Sequence, residues 1–160
     1  MVRPRSGAEI GDNATFVSNY ICMRPVRDVQ MYPAGYCRGE NSRVSFNSIL
    51  YGHPNSLLDI GSKAVLSGKG SKAEMVSRAI AREGCKMIIR GLIEGDSSDC
   101  KGHLECRGLL MDDKSVMQSI PELIAKKKGV EITHEAAVGK ISEKEIVDLS
   151  LYSIFRGFLG

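Results

Sequence analysis

Apolar and polar residues alternate in short runs along most of this chain, and glycine rather than hairpin turns separates the runs. Val44, Phe46 and Ser48 alternate with Ser45 and Asn47. Leu58 and Ile60 alternate with Asp59 and Gly61, and Ala64 and Leu66 continue the stretch. Ala73 and Met75 alternate with Lys72 and Glu74, and Met87 to Ile89, Leu92 and Ile93 form short apolar runs. Leu104, Cys106, Gly108 and Leu110 share one face, and Ile132, His134, Ala136 and Val138 share another. Period-two alternation over short runs predicts half-buried strands. Asn-Gly and Asp-Gly, the strongest two-residue hairpin signals, never occur. Strands that recur without hairpins suit a solenoid in which each coil stacks on the last. A parallel β-helix is the first expectation and a β-sandwich the second; periodicity alone does not separate them. No internal repeat or low-complexity segment stands out.

The end of the chain changes character. Ser142-Glu143-Lys144-Glu145 reads as a capping box, and Ile146 and Leu149 follow at helical spacing. This predicts a short C-terminal helix over about 142–155. Lys126-Lys127-Lys128 before Gly129 reads as a solvated turn.

At 160 residues, one globular unit is the default. A hydrophobic fraction of 42% and a charged fraction of 26% are ordinary for a soluble domain. A net charge of +3, scattered rather than striped, argues against nucleic-acid binding. No apolar run approaches the ~20 residues of a membrane span, and no secretory signal opens the sequence. The five cysteines, Cys22, Cys37, Cys85, Cys100 and Cys106, include no C-x-x-C pair. Free thiols without a signal peptide predict the reducing cytoplasm.

Few residues carry chemistry. Cys106 is expected to point inward as a small hydrophobe, or to act as a thiolate that accepts sulfur or ligates iron. His134 is expected to face inward and Glu135 outward; together they offer a nitrogen and an oxygen ligand acceptable to iron. His103 and Glu105 flank Cys106 on the opposite face. Cys22, Cys37, Cys85 and Cys100 show no ligand spacing, and His53 sits in a turn. With no P-loop, no G-x-S-x-G elbow and no nucleophile triad, the chain is not expected to be an enzyme.

Several segments carry a resemblance to a known family. His103-Leu104-Glu105-Cys106-Arg107-Gly108-Leu109-Leu110 resembles the H-x-E-C-x-G-L-L segment of SufB-type proteins. Ile120-Pro121-Glu122-Leu123 is similar to their I-P-E-L, and 134–141 to their H-E-A-A-V-G-K-I. Segments 24–33, 46–50, 58–62 and 73–78 follow in the same order. The chain thus resembles the C-terminal core of the SufB/SufD family of iron–sulfur cluster assembly scaffolds.

The resemblance implies a right-handed parallel β-helix core over 1–140 and a C-terminal helical segment over 141–160. It implies a transient iron–sulfur cluster built with Cys106, Glu135 and His134 as metal- and cluster-binding residues. It implies as partners a SufC-like ABC ATPase and a SufB/SufD-like paralogue or a second copy. Relative to the family, an N-terminal region and part of the C-terminal helical region look missing. The latter is where the family docks its ATPase, which puts docking to SufC in question. The expectation is therefore a cluster-assembly scaffold. The alternatives are a structural β-helix module that pairs with a full-length partner, or a metal-dependent enzyme using His134 and Glu135.

Overall fold

The computed structural model describes residues 2–140. The expected C-terminal helix and the 141–160 segment lie outside the described residues. Eleven strands are described: β1 (Gly7–Ile10), β2 (Thr15–Cys22), β3 (Asp28–Met31), β4 (Ala34–Cys37), β5 (Arg43–Gly52), β6 (Leu57–Leu66), β7 (Lys72–Ala81), β8 (Lys86–Gly95), β9 (Lys101–Leu110), β10 (Val116–Ala125) and β11 (Glu131–Lys140). They form two sheets. The first wall runs β1-β4-β6-β8-β10, with β3 also on β6; the second runs β11-β9-β7-β5-β2. Every strand pairing is parallel. Apart from β3 and β4, which both lie on the first wall, successive strands alternate between the walls, so the chain winds as a parallel β-helix and the sandwich alternative falls. No helix among the described residues is long and apolar enough to cross a membrane.

The coils do repeat, although no repeat stands out in the sequence. Arg43 faces Lys72 and Lys72 faces Lys101, a step of 29 residues each time; Lys101 faces Glu131, a step of 30. The repeat is carried by backbone rather than by residue identity. The turn entering each second-wall strand holds one residue in the left-handed region: Asn13, Asn41, Gly70, Asp99, then Gly129. Asparagine, aspartate and glycine are the residues that tolerate this conformation. The turns stack by backbone bonds, Asn13 N to Glu40 O at 2.8 Å and Asn41 N to Lys69 O at 2.9 Å. After the left-handed residue, Ser42, Ser71 and Cys100 turn fully inward.

Each ten-residue strand sends alternate side chains into the space between the walls. Because the chain reverses direction at every turn, the start of one strand packs opposite the end of the next. Two apolar clusters result. One gathers Val44, Phe46, Leu66, Met75, Ile93 and Leu104. The other gathers Leu50, Leu58, Ile60, Met87, Ile89 and Cys106. Between them runs a narrow waist of small or polar residues: Ser48 and Ser77 in β5 and β7, opposite Ser62 and Gly91 in β6 and β8. Fully buried Leu50, Leu58 and Leu66 contribute roughly 1.5–3 kcal/mol each. At Gly91 a Cβ would overlap Leu104 Cδ1, so any larger residue there would force the Leu104 side chain to move.

Candidate metal and cluster site

Strand β9 points Cys106 inward, as the alternation predicts, at the edge of the second apolar cluster next to the waist. Its register partners are Ser77 on one side and Ala136 on the other. Cys106 is only 1% exposed. Burial pushes its thiol above the ordinary value; the Ser119 hydroxyl and the Arg78 charge pull the other way. It is therefore a protonated thiol near neutral pH, and it becomes a ligand only when a metal or a local opening displaces the proton.

His134 enters from β11, where it pairs with Leu104. It stands one strand over and two residues along from Cys106, on the same inner face. Strand spacing and rise put such a pair about 8 Å apart between Cα atoms. His134 Nε2 is buried and has no hydrogen-bond partner among the described residues. An imidazole nitrogen removed from water without a partner is unfavourable, and a water, an ion or another ligand there would complete its bonding.

Glu135 is placed differently. It follows His134 in an extended strand and so points to the outer face, paired in register with Glu105. The residues expected to act together are thus divided by the wall: Cys106 and His134 inside, Glu135 outside. Among the described residues no group of three or more His, Cys, Asp or Glu side chains could hold a metal ion.

The outer face carries a cluster that sequence reading did not assemble. Glu105 Oε2 accepts a bond from Arg78 Nη2 at 3.0 Å, and Oε1 lies 2.6 Å from Arg107 Nε. Among the described residues no hydrogen bond points squarely at Oε1. The Arg78 bond first, then the charges of Arg107 and His103, hold this carboxyl below the usual range. His103 Nδ1 lies 2.8 Å from Thr133 Oγ1. The signal for this cluster was present: Arg78 precedes Arg107 by one coil length, so the two stack.

The other cysteines are all buried and unpaired with one another. Ser56 Oγ donates to Cys85 Sγ at 3.2 Å, and Cys100 Sγ lies 3.4 Å from Ser71 Oγ. They act as inward turn and core residues. His53 lies in a turn, as expected, with Nε2 3.0 Å from Met23 O. Lys126 also lies in a turn and pairs with Glu94.

Residues 4–149 match the family described as "SUF system FeS cluster assembly, SufBD core domain". The chain belongs to the SufB/SufD family of iron–sulfur cluster assembly proteins. An iron–sulfur cluster assembly SufBD family protein of Methanothermobacter thermautotrophicus (strain Delta H) is 50% identical over 99% of this chain and 41% of its own length. One of Archaeoglobus fulgidus is 42% identical over 99% of this chain and 45% of its own. The iron–sulfur cluster assembly protein SufB of Bacillus subtilis is 29% identical over 79% of this chain and 27% of its own length. The chain spans less than half the length of these SufB/SufD relatives. In this family core, the segments 103–110 and 134–140 lie on neighbouring strands β9 and β11, which is what sets Cys106 and His134 on one face.

Proposed function

We propose that this SufB/SufD family chain is a scaffold subunit on which a nascent iron–sulfur cluster is assembled and from which it is passed on. The observation that carries the reading is His134: a buried imidazole nitrogen with no hydrogen-bond partner among the described residues, on the same inner face as Cys106 and one strand away. A thiolate and an imidazole are both good iron ligands, and two protein ligands leave iron open positions that suit cargo in transit. Glu135 fits the reading as a carboxylate on the outer rim that collects iron, not as a third ligand beside Cys106. The chain then acts as a template, not as an enzyme. Its partners in this reading are a SufC-like ABC ATPase and a SufB/SufD-like paralogue or a second copy. Its setting is the cytoplasm, which suits five buried free thiols.

The burial of Cys106 favours a second reading, a structural module that pairs with a longer SufB or SufD and builds no cluster itself. Anaerobic reconstitution with iron and sulfide separates the two. Wild type and Cys106→Ala are compared by visible absorption and bound iron, alone and with a SufC/SufD-like pair. The scaffold reading expects a cluster band lost in the variant. No cluster in either protein, even with partners, leaves the structural module.

A further inference from the structure

The first wall is broken once. Strand β3 pairs with β6 up to Met31 opposite Ile60, and β4 resumes with Ala34 opposite Lys63. Tyr32 and Pro33 lie between. Lys63 N donates to Pro33 O at 2.9 Å. In a parallel ladder the reciprocal bond runs from the N–H of residue 33 to the carbonyl of residue 61. Proline has no N–H, so Gly61 O is left without its ladder donor.

A small cavity lies at this point of the waist. Pro33, Gly61 and Ser62 line it from the first wall, and Ser18, Tyr20 and Ser48 from the second. It has room of about 20 Å³ for a water-sized sphere, above the roughly 10–15 Å³ that one water requires. Ser48 donates to Ser77 at 2.8 Å and Ser62 Oγ lies 3.3 Å from Met75 Sδ, so their oxygen lone pairs remain open to a further donor. Among the described residues no carboxylate and no cationic side chain lines the cavity. A charged guest would be uncompensated there, whereas a neutral guest that both donates and accepts fits the lining.

We propose that this cavity is a binding site for one ordered water molecule, which donates to Gly61 O in place of the missing Pro33 N–H and bonds the hydroxyls of the waist. The water completes the first wall across its break. It ties that wall to Tyr20 and Ser48 of the second, where the two apolar clusters are separated by small residues only.

The test is a crystal structure of the full chain at a resolution that orders waters, for wild type and Pro33→Ala. Wild type should show one density peak within about 3.2 Å of Gly61 O. In Pro33→Ala the restored N–H should take that carbonyl, and the peak should leave it. A cavity without density, or a water that keeps its contact to Gly61 O unchanged in Pro33→Ala, overturns the proposal. Oxygen-17 relaxation dispersion in solution gives a second measurement. Ser48→Val removes a hydroxyl and fills the cavity, so the count of long-lived waters should fall by one; an unchanged count overturns the site.

Discussion

Glu105 and Glu135 are register partners on the outer face of the second wall, one coil apart, and among the described residues arginines hold Glu105 alone of the two. Like charges directly opposite each other destabilise a sheet. Glu135→Gln should therefore raise stability slightly, by roughly 0.2–1 kcal/mol in urea unfolding. If Glu135 collects iron, added ferrous ion should stabilise wild type under anaerobic conditions and leave Glu135→Gln unmoved. An equal response of both proteins would remove Glu135 from the site.

Two glycines should respond differently to alanine. At Gly68 a Cβ would overlap the carbonyl oxygen of Gly39 in the coil below, which is backbone and cannot step aside. At Gly108 it would overlap Met117 Sδ, on a flexible side chain. Overpacking costs about 1–3 kcal/mol, with backbone clashes at or beyond the top of that range. Gly68→Ala should lower the unfolding midpoint well below that of Gly108→Ala. Similar midpoints would show that the stacked turns can slide.

Glu83 occupies the left-handed region at φ 52°, where a residue with a Cβ is strained; its carboxylate pairs with the Arg82 side chain and not with the backbone of its own turn. Glu83→Asn should gain about 0.5–1 kcal/mol, since asparagine tolerates that region. Gly84→Ala, at φ 77°, should lose a comparable amount. Thermal unfolding of both variants checks the pair, and a destabilised Glu83→Asn contradicts it.

Alkaline pH should loosen the fold. Burial raises the thiols of Cys37, Cys85 and Cys106 above the ordinary 9.0. Tyr20 is pushed up to about 12, by burial first and then by Cys22. The unfolded chain releases these protons at lower pH than the folded one. The stability they contribute is whole below about pH 9 and is lost as pH rises toward 12. Urea midpoints measured against pH should fall across that window, and a flat profile would sink the idea.

The acid limb should depend on Asp112. Burial opposes its ionisation, but the Ser115 hydroxyl and the backbone N–H groups of Lys114, Ser115 and Glu83 outweigh it and hold the carboxyl down to about 2. Its contribution is full above the ordinary 3.8 and is lost as pH falls toward 2. Asp112→Asn should flatten that part of the profile; an unchanged acid slope would rule Asp112 out as its source.

The inward and outward faces were legible because strand periodicity is local. Leu104, Cys106 and His134 point inward and Glu135 outward, as the alternation predicts. The absence of hairpin turns correctly favoured stacked coils. The repeat was not visible because it is a repeat of φ, not of residue type: Asn13, Asn41, Gly70, Asp99 and Gly129 share a conformation, not a letter. The outer cluster was missed for a related reason. Arg78 and Glu105 meet only once the coil length is known, and the same holds for the stacking of Ser48 on Ser77. The division of Cys106 from Glu135 followed from alternation alone, yet the family resemblance had grouped them by role.

The step of 29 or 30 residues also governs how such a chain can change length. Removing one residue inside a strand turns every later side chain of that strand to the wrong face. Removing one whole winding leaves both faces, both apolar clusters and the waist in phase. Genes for this architecture can therefore lengthen or shorten in whole windings. The slack for single-residue changes lies in the turns, as the five-residue connection 111–115 already shows beside its four-residue counterpart 82–85.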